Sequence, residues 1–494
     1  MRKKKALALL MSAVMLMGAF TGCGSKTADT NNTGDDSQAA NNAQSTSDDV
    51  TELEFWTFVE LHGQFYQNMA AQWNEKNPDK KVNVNVNVMP YDDMHNKLQI
   101  ALTSGEGAPD FVDIEQGKFA NFTQGTPALM DLTEAAEPYT STGDIVQSRL
   151  DLYSKDGKLY GLPTHVGATV AFYNTELLDA AGIDYTTIKT WDDFKKAGST
   201  YYEKTGKYLG TADTTALWTE NLLLAELGGE YTDGDTVTVN SPEMNEAMGI
   251  LKDLYDAKAI GTVPGGNPDK EEAYGAFNSG DFACAIMPMW QMSRYTSYMP
   301  ELAGKIAIAP APVVDNTKAK SVGGGGTGTA VVASSKNAQI ASEFLAFAKL
   351  SKEGAAEIWD LLGFDPCNKA VWSDASVTDN EDNMYVQYFE NNPFDVLKEI
   401  QDGIVGLASH ASSSYPSINT EFTTVTLNDI FENGVLSISH EYITDTITNH
   451  ALEYLDKMSG EGAPFYLSVH YTAPHSPWEE NEHPKEFRDL YKDC

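Results

Sequence analysis

At 494 residues the chain is too long for one simple hydrophobic core, so two or three domains are expected. Its 34 Lys and Arg against 71 Asp and Glu leave a formal net charge of -37, which repels nucleic-acid phosphates and anionic lipid headgroups and argues against both as partners. Hydrophobic residues at 41% and aromatics at 10% are enough for folded cores, which excludes a disordered acidic polymer.

The N-terminus carries a basic stretch, Arg2-Lys3-Lys4-Lys5, an apolar run from Ala6 to Phe20, and the small residues Thr21-Gly22 immediately before Cys23. This order resembles a bacterial lipoprotein signal peptide and implies lipidation of Cys23 as the first residue of the mature chain. Phe20 stands where that motif more often has Leu. A plain secretory signal or a single membrane anchor is the alternative, and the apolar run is shorter than the roughly 20 residues a membrane span needs. The stretch from Gly24 to about 50 is rich in Ser, Thr, Asn, Asp and Gly, with almost nothing to bury, and reads as a disordered tether.

From Thr51 onward, strand and helix patterns alternate. Leu53 to Phe58 reads as a first strand, and Phe65, Met69 and Trp73 recur at helical spacing over His62 to Asn77. Val82, Val84, Val86 and Val88 alternate with Asn83, Asn85 and Asn87, the pattern of a strand with one buried face. Tyr91 to Ser104 predicts a second amphipathic helix and Phe111 to Ile114 a third strand. Strands separated by single helices predict a parallel sheet covered on both faces, whose ligands sit at the carboxyl ends of the strands.

A crossing segment follows at Gly161 to Ile183. Here Gly161-Leu162-Pro163 precedes the apolar strand Thr169 to Tyr173, and a helix follows that Asn174 caps and Gly182 ends. Beyond it, Trp191-Asp192-Asp193-Phe194 opens a helix, Trp218 to Leu227 is an apolar helix stopped by Gly228-Gly229, and Met244, Met248, Leu251 and Tyr255 stripe another. Phe282 to Met287 predicts a buried strand leading into Pro288-Met289-Trp290, and Ile306 to Val314 a second interdomain passage. Gly323 to Gly326 then sits before a strand at Thr329 to Ala333, with a helix marked by Ile340, Phe344 and Phe347 after it. The glycine run lacks the Gly-Lys-Ser/Thr ending of a phosphate loop and does not directly open a helix. Trp56, Trp73 and Trp359 are expected in the core, and Cys284 and Cys367 as buried thiols. No GxSxG elbow, HExxH pair or Cys/His metal cluster is present in the sequence, and neither metal nor cofactor is expected.

Taken together, "LEFWTF", "GEGAPDFVDIEQGKFANF", "KDGKLYGLPTHVGATVAFYNTELLDAAGI", "TWDDF", "FNSGDFACAIMPMW", "GGGGTGTAVVASS" and "FLAFAKLSKEGAAEIW" resemble, in this order and spacing, the extracellular solute-binding proteins of ABC-type sugar importers. The resemblance runs from Thr51 to about Gly434. Within that family the chain is most similar to binding proteins for arabinose-containing or galactose-containing oligosaccharides. It implies an α/β, two-lobed periplasmic-binding-protein-like fold with a hinge: residues 51–167 and 323–370 as lobe 1, and 168–322 and 371–434 as lobe 2. The implied function is capture of an oligosaccharide and delivery to ABC permease subunits, by a monomer lipid-anchored on the outer face of the bacterial cell membrane.

A sugar offers flat C–H patches and a rim of hydroxyls, so its site needs aromatic platforms and fixed polar groups. Carried over by position, the resemblance implies Glu60 and His62 after the first strand, Glu115 and Lys118 after the third, His165 at the hinge, and Trp218 and Trp290 as platforms. Gly325 allows close backbone approach. Core packing is the alternative for each Trp, a solvated surface pair for Glu115 and Lys118, and a structural role for His62 and His165.

The C-terminus departs from this pattern. "YITDTITNHALEYL", "PFYLSVHYTAPHSPW" and "HPKEF" resemble an internal segment of the sulfatase family, in which the histidine at the position of His475 contacts the sulfate ester. The likeness covers Ser437 to Cys494, an incomplete sulfatase-like α/β fragment at residues 435–494. The C/S-x-P/A-x-R setting of a formylglycine nucleophile is absent from the sequence, as are the metal-binding portions. One histidine without them cannot hydrolyse an ester, so no enzyme is expected, and the stretch near Gly434 to Ser437 reads as a junction of two unrelated coding segments, by gene rearrangement or faulty sequence assembly. The competing classes are a sulfatase-related hydrolase or fusion, and a non-transport adhesin or sensor on the same fold.

Overall fold

The computed structural model describes residues 50–431 apart from 235, 315 and 316. Cys23, the tether as far as residue 49, and the sulfatase-like segment with His475 lie outside the described residues.

The chain opens with β1 (Thr51–Thr57), α1 (Glu60–Lys76), β2 (Val82–Val88), α2 (Tyr91–Ser104) and β3 (Phe111–Glu115). It crosses at β4 (Leu162–Pro163) into β5 (Thr169–Asn174) and α3 (Thr175–Ala181). There follow β6 (Gly210–Ala212), α4 (Trp218–Glu226), α5 (Pro242–Asp256), β7 (Ile260–Thr262), β8 (Cys284–Pro288) and β9 (Ile306–Pro310). The return is made by β10 (Ser321–Val322), β11 (Thr327–Val331) and α6 (Ala338–Leu350), and the described chain closes with β12 (Ile404–Val405), α7 (Tyr415–Glu421) and α8 (Leu427–Phe431).

In the first lobe the strand order is β2-β1-β3-β11-β4. β1 runs parallel to β2 and β3, with Phe55 opposite both Val86 and Phe111. β11 is antiparallel to β3 and to β4, so the sheet is mixed rather than parallel. The reason lies in the path of the chain. It re-enters this lobe at the carboxyl ends of β1 and β3 and must run back against them. One face of the sheet is covered by α1 and α6, where Tyr66, Trp73 and Phe344 meet edge-on or tilted at 6.1–6.2 Å between centroids. Trp56, Trp73 and Trp359 are buried, as their spacing predicts.

The second lobe is built round β5, flanked by antiparallel β8 and β9. The expected passage at Ile306 to Val314 therefore begins as a strand of this lobe. Pro310 ends it, on an outer strand where a missing N–H is tolerated. β6 and β7 pair in parallel, and a parallel bridge between Tyr208 and Phe282 joins them to the β8 side. β6, β7 and β8 thus point their carboxyl ends one way, toward the start of β5, where Thr169 faces Pro288. Asn174 accepts from Leu177 N at 3.1 Å as cap of α3, and Gly182 ends that helix at φ 66°. Cys284 and Cys367 are buried free thiols, the latter pushed up to about 12 by burial.

Where the lobes join, residues 163–169 run beside 321–327. Gly324 N donates to Gly167 O at 2.8 Å, Ala168 bridges Gly323, and Gly323 N donates to Val405 O at 3.0 Å. Asp365, fully buried, fastens this junction: its carboxylate accepts from Gly167 N at 3.0 Å and Ala168 N at 2.7 Å. Burial raises its pKa to about 7, against the pull of those two N–H groups. Asp365→Ala strands both donors and is expected to cost about 2–4 kcal/mol, read as a lowered Tm. Because the folded-state pKa lies above the unfolded value, the stability linked to Asp365 is full below about pH 4 and is lost as pH rises to about 7. Thermal denaturation between pH 4 and 8 should show a shallower decline in Asp365→Asn than in the wild type.

Candidate functional site

The carboxyl edges of the two sheets carry the polar and aromatic side chains that the fold brings together. Their meeting point is the glycine run. Gly325 and Gly326 have φ of 64° and 98°, in the region that favours glycine. A Cβ at Gly324 would meet the Pro288 ring at 2.9 Å, and one at Gly326 would meet the His165 imidazole at the same distance. At Gly325 it would sit 3.3 Å from Trp290 Nε1 and 3.5 Å from the Trp218 ring.

Trp218 opens α4 and Trp290 follows β8, and their rings meet edge to face at 5.3 Å. Each indole is held by its N–H. Trp218 Nε1 donates to Asn267 Oδ1 at 3.1 Å and Trp290 Nε1 to Gly324 O at 3.0 Å. Trp218 is half-buried, whereas Trp290 is buried, with the Arg294 guanidinium 5.4 Å from its ring centroid. Arg294 is itself paired with Asp269 at 2.7 Å.

From the first lobe, Glu115 ends β3 and caps the next turn, accepting from Gly117 N at 2.7 Å and from Tyr91 Oη at 3.1 Å. Burial raises its pKa above the usual carboxylate range. Lys118 stays half-exposed, 3.7 Å from Asp92 and 5.7 Å from the Tyr91 ring centroid, so it forms a pair at the rim. Glu60 is exposed at the first turn of α1 with no contact to this group. His62 is buried, and its Nδ1 lies 2.8 Å from Asp113 Oδ2, which also accepts from Thr57 Oγ1, while Thr329 Oγ1 donates to the other oxygen. That network ties β1, β3 and β11 together. His165 lies at the hinge with its ring 4.7 Å from Phe364, and neither of its buried nitrogens has a hydrogen-bond partner among the described residues. Burial and the nearby Arg149 charge hold it well below the usual histidine range.

Other residues at the junction escape sequence reasoning. Arg149, fully buried, donates to Gly325 O at 2.6 Å and to Gln116 Oε1 at 3.1 Å. Gln116 Nε2 lies 2.7 Å from His410 Nδ1. His410 packs against Tyr415 at 4.2 Å and Tyr231 at 6.2 Å, and Tyr231 Oη donates to Asn221 Oδ1 at 2.8 Å. The route from β3 to α4 thus runs through a segment near residue 410 that no local motif announces. Asp213 and Glu220, both buried, belong to the same edge of the second lobe, one just after β6 and the other on α4. A strand end followed by Asp was the available signal for Asp213. Arg149 and His410 offered none.

Two surface cavities lie elsewhere. One of about 290 Å³ is lined by Trp191, Asp253 and Val314, and one of about 440 Å³ by Glu52, Glu54 and Asp110 at the amino ends of β1 and β3. Among the described residues no cluster of His, Cys, Asp and Glu could hold a metal ion.

Comparison with known proteins gives this arrangement a context. An arabinooligosaccharide-binding protein of Bacillus subtilis is 44% identical over 364 residues, which are 73% of this chain and 83% of the relative. Its namesake from Halalkalibacterium halodurans is 39% identical, over 77% of this chain and 85% of its own length. Among solved structures, an ABC transporter-associated binding protein of B. animalis subsp. lactis in complex with β-1,6-galactobiose superposes with a TM-score of 0.62 at 22% identity. That match covers 83% of this chain and 98% of the other. The sugar-binding protein MalE of Xanthomonas citri gives 0.65 at 18% identity, covering 84% and 100%. These two establish the two-lobed fold. The family model for bacterial extracellular solute-binding proteins matches residues 60–355, and with the B. subtilis relative at this identity the chain belongs to that family.

Proposed function

We propose that this chain is the receptor of an ABC-type sugar importer, that its ligand is a short arabinose-containing oligosaccharide, and that the ligand is gripped between the two lobes at Trp218 and Trp290. The family and its relatives are binding proteins of importers rather than enzymes, and receptor is the function the chain carries. The observation that favours this site is the indole pair bracketing Gly325, with both N–H groups tied down so that the rings are pre-set as platforms. Around it stand Glu115, Gln116, Arg149, His165 and His410, which supply hydrogen-bonding groups from both lobes. The two relatives named for arabinooligosaccharides favour that sugar over galactose-containing ones. Glu60 and Lys118, at the rim, would meet only the outer units of a longer ligand.

A ligand that binds only the folded state must raise Tm, by about 2.7 kcal/mol of stabilisation at a hundredfold excess over Kd. A thermal-shift screen against arabino-, galacto-, xylo- and malto-oligosaccharides should give a rise with the arabinose series. Trp218→Ala and Trp290→Ala should each weaken binding at least tenfold, about 1.4 kcal/mol. No rise with any of the four series would overturn the assignment.

The sequence motif at Cys23 supports lipid anchoring of the binding head at the extracytoplasmic membrane face. Cys23→Ser should move the protein from the membrane fraction to the medium, and retention on the membrane would refute the anchor. We read residues 435–494 as a foreign coding segment without hydrolase activity, because the formylglycine motif is absent from the sequence.

A further inference from the structure

We propose that Asp213 and Glu220 form a hydroxyl-reading subsite that makes the cleft select neutral oligosaccharides and reject those carrying a carboxylate. The proposal rests on the sugar-receptor reading above and deepens it.

The pair occupies a defined place. Asp213 is the first residue after β6, on the edge where β8 runs out toward Trp290, and Glu220 sits two residues after Trp218 on α4. Next to Glu220, Asn221 accepts from Tyr231, whose ring stacks with His410. Asp213 and Glu220 are 2% and 1% exposed, yet among the described residues both Asp213 carboxyl oxygens and Glu220 Oε2 lack a hydrogen-bond partner. Two other unpartnered buried atoms lie on the same edge or beside it, Gln291 Oε1 directly after Trp290 and His410 Nε2.

Such burial is costly unless it serves something. Paired carboxylates elsewhere in the molecule show what a structural role looks like: Asp365 accepts two backbone N–H groups, and Glu226 Oε2 accepts from Trp191 Nε1 and Val314 N. Among the described residues Asp213 has no such support, and Glu220 has only the pull of its own backbone N–H. The charged and titratable groups acting on them among the described residues are each other and the hydroxyl of Tyr231, with no Lys, Arg or His. The Thr211 hydroxyl is near enough to pull Asp213 partly back, without a hydrogen bond of good geometry. Burial raises Asp213 to about 7, and burial with the Asp213 charge raises Glu220 further. Like charges in a low-dielectric site cannot both ionise, so the pair keeps at least one proton near neutral pH. One neutral carboxyl beside one ionisable carboxyl offers both a donor and acceptors, which is what sugar hydroxyls require. A ligand carboxylate at the same place would meet a negative charge with no cation to offset it.

The test uses three matched probes: arabinotriose, the same trisaccharide oxidised at C1 to the aldonate, and the trisaccharide oxidised at its free primary alcohol to the uronate. Binding is measured calorimetrically on the full chain at pH 8. The wild type should bind at least one of the acids tenfold or more weakly than arabinotriose. Asp213→Asn, confirmed as folded by its melting transition, should narrow that ratio to about threefold, whereas Glu220→Gln, which leaves the Asp213 charge in place, should not narrow it. On the wild type alone, lowering the pH to 5 protonates Asp213 and should narrow it in the same direction, so the outcome does not depend on the variants folding. Equal binding of neutral and acidic probes by the wild type, or a ratio unchanged by both Asp213→Asn and the pH, would overturn the proposal. Failure of arabinotriose to bind at all would instead strike the arabinose assignment, and the selectivity proposal would fall with it.

Discussion

The space at the junction of the lobes decides most of this structure. Between Gly323 and Gly326 the chain passes so close to Val166, Pro288, His165 and Arg149 that a Cβ would collide at 2.8–3.3 Å, and two of the four glycines stand at positive φ. Only a backbone stripped of side chains lets β10 and β11 pass beside residues 163–169 while both indoles close in from the second lobe. The Trp290 N–H and the Arg149 guanidinium then fasten that bare backbone from opposite sides, at Gly324 O and Gly325 O. Platform, hinge and inter-lobe hydrogen bonds are consequences of one tight crossing.

Much of the fold is legible in the sequence because local chemistry sets it. The Val/Asn alternation of β2, the bounds of α2, the Asn174 cap and Gly182 stop of α3, and the helix opened by Trp191 all follow from periodicity and terminal residues. What stays hidden is long-range pairing. The antiparallel sense of β11 depends on where the chain re-enters the first lobe, and nothing in residues 327–331 records it. The same holds for the site. Trp218, Trp290 and Gly325 are visible as an aromatic after a turn, an aromatic after a strand and a glycine in a run. Arg149 and His410 reach the junction only because segments 176 and 294 residues away fold against them.

His62 shows how a residue singled out for a ligand contact also serves the fold. It stands after the first strand, where the resemblance implies a ligand contact, and Asp113 takes up its Nδ1 inside a network with Thr57 and Thr329. His165, nine residues before the Asn174 cap of α3, is the reverse case, since its buried nitrogens are left without partners among the described residues beside the crossing. Charged groups sort in the same way. Lys349, buried and lowered to about 8 by desolvation, still has Thr164 Oγ1 at 2.5 Å and two aromatic faces, and so acts as a brace under the hinge.

The place of β11 has a bearing on how the molecule is made. This strand lies between β3 and β4, so β4 joins the first sheet only through it, and α6 covers the same sheet. As the polypeptide lengthens from its N-terminus, the first lobe is left open on that side until residues past 350 have emerged, although its opening three strands exist long before. Most of the second lobe must be threaded in between. Such distant pairings make folding slow, because loop closure precedes the contacts that reward it. The first lobe is begun first yet closes only after most of the second has emerged, which gives the chain a long interval in which its N-terminal part remains unfinished.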